Sequence, residues 1–260
     1  MRDILSDLEA AESLMDPNPM RRAQKAMLTP MPKRFYKAAG VAEQGGGYVV
    51  VLDGKPVKTP ARKELAFPAR AAAELIAAEF EAQEKEINPA TMPFTRLANT
   101  AIDGVASEID AVLADIQRFC ANDMLCYRSE APEGLVKRQA DVWNRYLDWA
   151  RAKHGVRLFL GEGVMHIGQP PASIEAFGLA LKAHAEPLKL ACLHAMTTMT
   201  GSAILALAIA EGEVSVEEGW AAAHLDEDWT IEHWGEDREA QARRAARWQD
   251  MKAAADLLRV

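Results

Sequence analysis

The sequence predicts an α+β protein, with a small N-terminal β domain followed by a larger all-helical domain into which one short hairpin is inserted. Three observations carry that expectation. From Lys33 to Pro68 the apolar residues come in short runs punctuated by glycine turns, the pattern of strands. Beyond Pro68 they recur every three or four positions, the spacing of one helix face. Alanine and straight-chain charged residues, which are strong helix formers, fill much of the composition.

Residues 1–30 read as an N-terminal extension in which Ile4, Leu5, Leu8, Ala11 and Met15 line one face of a short helix, stopped by Pro17 and Pro19. Residues 31–88 form the predicted β domain with a following helix. Arg34–Lys37 is a short strand candidate, Gly45-Gly46-Gly47 a turn, and Tyr48–Leu52 the strongest strand of the chain. Asp53-Gly54 is a tight hairpin pair because both central positions need positive φ. Lys55–Thr59 returns from it, Pro60 ends that strand, and Leu65–Phe67 adds another. Ala72, Ile76, Phe80, Gln83 and Ile87 then share one face of a helix that Pro89 terminates.

Residues 89–260 form the predicted helical domain. Helical spacing is plain over Ile109–Phe119 and Leu135–Ala150, near Ile174–His184, from Leu190 onward, near Val216–Trp234 and over Asp237–Leu258. The string VRLFLGEGVMHIG interrupts the pattern with two β-like runs around Gly161-Glu162-Gly163, the expected hairpin. In MPFTRLANTAID, residues 92–103, Thr95, Arg96, Asn99, Thr100 and Asp103 alternate with apolar residues. They read either as polar groups that satisfy backbone and helix ends or as direct partner contacts.

Composition narrows the function. The chain of 260 residues carries 38 acids against 30 Lys and Arg, a net charge of −8, which argues against a nucleic-acid surface. Three scattered cysteines, Cys120, Cys126 and Cys192, make neither a disulfide framework nor a zinc site. The longest apolar run, Ala203–Ala210, is too short to cross a bilayer, so no membrane insertion is expected. The N-terminus matches neither a secretory signal nor a transit peptide, and the expected location is the bacterial cytoplasm. The six histidines lack metal-ligand spacing, no nucleophile elbow is present, and the triple glycine lacks the Lys-Ser/Thr of a phosphate loop. No catalytic residue, cofactor or metal is therefore expected.

The segment Glu211–Glu239 stands out, with eleven acids against the single cation Arg238 and with Trp220, Trp229 and Trp234 interleaved. It reads equally as a solvated face laced to Arg243, Arg244 and Arg247 of the next helix, or as an interface, where aromatics beside unpaired charge are at home. A carboxylate-dependent hydrolase or a metal-binding enzyme using residues 226–239 is the competing reading. It is weakened because consecutive acids on a helix point in different directions.

Particular strings go further. RFYK at 34–37, LDGKPVKTPAR at 52–62, AAEFEAQEKEINPATMPFTRLANTAID at 77–103, NDMLCYR at 122–128 and LDEDWTIEHWGED at 225–237 occur in one order and spacing. Together they resemble the mitochondrial and bacterial chaperones for the α subunit of the F1 part of ATP synthase. The resemblance implies a binding protein, not an enzyme, that holds newly made α subunit soluble until the β subunit displaces it; a monomer is expected. It also implies a small β domain joined to a helical one. Family members commonly carry Trp where this chain has Phe80. By resemblance, the partner-binding candidates are Phe80 and Trp234 with the carboxylates Glu232, Glu236, Asp237 and Glu239.

Overall fold

The computed structural model describes residues 31–163 and 165–260; the helical face expected over Ile4–Met15 lies outside the described residues. Valine-rich β2 (Gly47–Leu52) is the middle of the N-terminal sheet. β1 (Ala39–Gln44) runs antiparallel along one edge, from Ala39 opposite Leu52 to Gln44 opposite Gly47. β3 (Lys55–Pro56) and β4 (Ala66–Phe67) share the other edge, Val51 facing Pro56 and Tyr48 facing Phe67. The hairpin at Asp53-Gly54 is as the sequence predicts, with φ of 48° and 78°.

Two expectations fail here. Arg34–Lys37 is not a strand; apart from one bridge between Lys33 and Glu86, the pairing starts at Ala39. The reason is the guanidinium of Arg34, which donates to the carbonyls of Glu81 at 3.0 Å, Lys37 at 2.8 Å and Gln83. The chain wraps around the end of a helix instead of extending. That helix, α1 (Arg70–Glu81), also ends sooner than its periodicity suggests, and Gln83 and Ile87 lie beyond it. Tyr36 donates its hydroxyl to the Phe80 carbonyl at 2.7 Å, so two side chains from the preceding segment satisfy the helix's last carbonyls. The Gln83 carboxamide closes the turn, donating to the Glu79 carbonyl and accepting from the Asn88 amide.

α1 packs on β1 and β2 and passes its contacts to α2 (Pro93–Asp103) through one buried carboxylate. Glu79 accepts from the Phe94 and Thr95 amides and from the Thr95 hydroxyl, each at 2.7 Å, and so caps α2 from another helix. Burial pushes the Glu79 carboxyl up, and these donors pull it back. At the far end of α2, Asp103 accepts from the Thr59 hydroxyl at 2.6 Å and the Ala61 amide at 3.0 Å, tying the β3–β4 loop down. Thr95, Thr100 and Asp103 thus take the structural role foreseen for this segment, with Thr100 bonded back to the Arg96 carbonyl.

The remaining helices are α3 (Ile109–Ala121), α4 (Glu133–His154), α5 (Pro171–Lys182), α6 (Pro187–Thr200), α7 (Ala203–Ala210), α8 (Val216–Ala223), α9 (Leu225–Trp234) and α10 (Arg238–Leu258). They assemble around α7, whose residues Ala203 to Ile209 are all buried. Its amino end is held by two oxygens. Ser202 accepts from the Leu205 amide, and the fully buried Asp123 reaches across from the end of α3 to accept from the Ile204 amide at 3.0 Å. The expected hairpin in residues 156–168 is also corrected. Gly161–Glu162 (β6) pairs in parallel with Tyr127–Arg128 (β5), because the segment lies against the chain that leaves Asp123 rather than folding on itself.

Two outcomes follow from these contacts. Gly54→Ala should lower stability by about 1 kcal/mol through backbone strain alone, since the space beside Gly54 is open, and chemical denaturation should show this midpoint shift. Asp123→Asn should destabilise by roughly 1–3 kcal/mol at pH 7, because the Asn NH2 group faces one of the two buried amides that Asp123 accepts from and leaves that amide without an acceptor. Burial raises the Asp123 carboxyl to about 6, above its unfolded value. Its folded form therefore takes up a proton first as pH falls, and this group's contribution to stability rises between pH 7 and 4. Denaturation of wild type and Asp123→Asn at pH 7 and pH 5 should show that difference changing in favour of the wild type.

Candidate functional site

The acidic segment is built into α8, α9 and the start of α10, and most of its carboxylates have separate partners. Glu218 closes a capping box with Ser215 at the start of α8. Asp226 accepts from the buried Gln139 amide of α4 at 2.8 Å, and Glu232 from Arg138 of α4 at 2.6 Å. Asp228 pairs with Arg244 of α10, and Glu227 lies 3.8 Å from the same guanidinium. The Arg138 guanidinium holds the Glu232 carboxyl below its ordinary range. Asp237 caps α10 by accepting from the Ala240 amide at 2.8 Å, and Glu239 pairs one turn on with Arg243.

These acids diverge. Among the described residues no group of three or more His, Cys, Asp or Glu side chains is placed to hold a metal ion. The lacing to the next helix is only partly as foreseen. Arg244 pairs with α9, Arg243 pairs within α10, and Arg247 donates to the Met199 carbonyl of α6.

Glu236 differs from its neighbours: among the described residues it has no ion pair or side-chain hydrogen bond, and it is exposed beside Trp234. Trp234 ends α9 with 75% of its surface in water. It stands at one end of a row of rings: Trp229 stacks on His233 at 4.3 Å between centroids, and His233 lies 5.7 Å from Trp234. Gly235 turns the chain here with φ 89° and ψ 177°, a conformation open essentially to glycine alone. The turn leaves the indole projecting while Asp237 starts the next helix. Glu232, Trp234, Glu236, Asp237 and Glu239 are thus brought to one surface corner between α9 and α10, all exposed.

Phe80 is elsewhere. It is 7% exposed, packs edge-on to Tyr36 with centroids 6.0 Å apart, and forms part of the floor of a cleft rather than a projecting anchor. The cleft, about 720 Å³, lies between the β3–β4 loop and the start of α2. Its floor is Phe80, Ile87 and Met92, and its rim carries Lys58, Arg62, Arg96 and Asn99. Arg96 is paired with Asp250 of α10. Arg62 sits at φ 64°, a left-handed conformation that costs a residue with a side chain on the order of 1–2 kcal/mol.

Sequence reasoning missed this cleft, because its walls come from three segments separated along the chain. It also missed the exposure of Phe35, Phe159, Leu160 and Met165. For Phe35 a signal exists: in RFYK the buried Tyr36 and exposed Phe35 are adjacent, so one of them must face out if the other packs inward.

A family model described as the ATP12 chaperone protein matches residues 33–151. Among solved structures, an Agrobacterium tumefaciens protein classed as a candidate chaperone is 55% identical, with a TM-score of 0.87, covering 100% of this chain and 96% of its own. Atp12 from Paracoccus denitrificans is 35% identical, with a TM-score of 0.82, covering 88% of this chain and 97% of its own. A mutant of that protein with Lys in place of an Asp matches equally well. Identity at that level across nearly whole chains, in the fold just described, decides the family: this chain belongs to the ATP12 chaperones.

Proposed function

We propose that this protein binds the free α subunit of F1 ATP synthase and holds it in solution until the β subunit takes its place, acting as a monomer in a bacterial cytoplasm. The observation that carries the reading is the corner at Trp234. A large aromatic projects into water among carboxylates, one of which, Glu236, has no partner among the described residues. An exposed indole ringed by charge suits an interface anchor better than a solvated face. A free subunit of an alternating ring exposes apolar surface that aggregates, and a chaperone that must cover it and then leave is served by a charge-steered contact. The family membership supports the assembly role, and the resemblance in the quoted strings points to the α subunit as client.

The direct test is light scattering of isolated α subunit without ATP. A small molar excess of this protein should suppress aggregation, and unchanged scattering would sink the proposal. Within the corner, Trp234→Ala should weaken client binding by about 2 kcal/mol or more while shifting stability by no more than about half a kcal/mol. Glu236→Lys should behave likewise, and added salt should slow its association less than it slows that of wild type. Glu232→Lys and Asp237→Lys should instead lower both binding and melting temperature, because each also removes a contact within the fold. Measuring melting temperature and client affinity on these four variants separates interface from scaffold.

A further inference from the structure

We propose that the cleft between the β3–β4 loop and α2 is a second contact for the client. It takes an extended segment that sets apolar side chains on the floor and a carboxylate between Lys58 and Arg62. This rests on the client reading above for the identity of the occupant, and on the cleft's own residues for the occupant's chemistry.

Charge is the first ground. The protein carries a net charge of −8, yet among the described residues no carboxylate lines this cleft, and its rim is cationic. Three acids beside it are already engaged, among them Glu64, which is bridged to Lys58 through the backbone and accepts from the Gln44 carboxamide. Asp103 is held by Thr59 and the Ala61 amide, and Glu79 by the amides that start α2. Arg96 is answered by Asp250. Among the described residues Lys58 and Arg62 have neither an ion pair nor a side-chain hydrogen bond. Two unanswered cations beside an apolar floor favour a carboxylate more than the same cations in open water would.

Backbone conformation is the second. Arg62 sits where glycine would be free of strain, and its side chain makes no hydrogen bond among the described residues. The conformation belongs to a tight turn in which the Arg62 amide donates to the Thr59 carbonyl at 2.8 Å, and that turn sets a side chain with no internal partner on the rim. The third ground is Asn99, half-buried on the same rim and likewise without a side-chain partner among the described residues. Its carboxamide offers one donor group and one acceptor, the complement of a peptide unit, which favours a polypeptide over a simple carboxylic acid. The Trp234 corner is acidic and this cleft basic, so a client engaging both must present opposite charges in one orientation.

The test uses the full chain and two arms. In the first, fluorescence anisotropy measures binding of a short labelled peptide of alternating Leu and Asp, and of its copy with Asn for Asp. The acidic peptide should bind about tenfold more tightly, and the preference should vanish in Lys58→Ala/Arg62→Gly. Equal binding of the two peptides, or a preference that survives the double variant, overturns the site. In the second arm, Arg62→Gly should retain or raise the melting temperature yet capture isolated α subunit less well than wild type, while Asn99→Ala should weaken capture without moving the preference for acidic peptide. Undiminished capture by Arg62→Gly overturns the client role of the cleft. Failure of wild type itself to capture α subunit sinks the proposed client, and with it this occupant, while the peptide arm still decides the carboxylate site.

Discussion

The helical part depends on one constraint: α7 has no polar face. From Ala203 to Ile209 every residue is buried, so the helix must be surrounded, and α3, α4, α6, α8 and α10 supply the surround. Burial of Ile204, Leu205, Leu207 and Ile209 stabilises the fold by roughly 1.5–3 kcal/mol per side chain. The cost of placing such a helix centrally is that its first amides cannot reach water. Ser202 and Asp123 answer that need, and Asp123 does so from the turn after α3, fixing the order in which α3 and α7 pack. The same turn leads to β5 and to Arg128, whose guanidinium lies over the buried Trp143 ring and donates to Asn144 of α4. A single buried carboxylate is thereby linked, contact by contact, to the helix on which α9 rests.

α4 in turn presents the site. Trp143 donates its indole N–H to the Ala222 carbonyl at the end of α8, and Gln139 and Arg138 hold Asp226 and Glu232 of α9. The Trp143 bond is buried, whereas those to Asp226 and Glu232 are half-buried and exposed, so α9 is fixed by ties of modest individual value and by Trp229 packing against the core. The consequence for function is a division of labour among acids that look alike in sequence. Most are spent on holding α9 and α10 in place; Glu236 is not. Trp234 can project because the stacked Trp229 and His233 rings support it from behind and Gly235 turns the chain away in front.

Much of this was legible in the residues. Valine-rich β2 and the Asp53-Gly54 turn announce themselves because strand propensity and positive φ are local properties. The long helices follow from apolar spacing for the same reason. The corner at Trp234 was legible as a cluster of acids and aromatics, and the family as ordered strings. Local residue chemistry is enough for the class of fold, most of its elements and the chemical character of the acidic segment.

The remaining features depend on partners distant in the chain. β1, composed of Ala, Gly, Val, Glu and Gln, has little strand preference of its own and exists because β2 pairs along its whole length. α1 stops at Glu81 because Arg34 and Tyr36 arrive to take its carbonyls, although apolar periodicity continues to Ile87. β6 pairs with β5 rather than forming a hairpin because the chain leaving Asp123 lies beside it. Phe80, an anchor candidate by sequence, turns inward because Tyr36 covers it. Which carboxylate is left unpaired, and which cations face an apolar cleft, depends on side chains meeting across the fold, and no local propensity records those meetings.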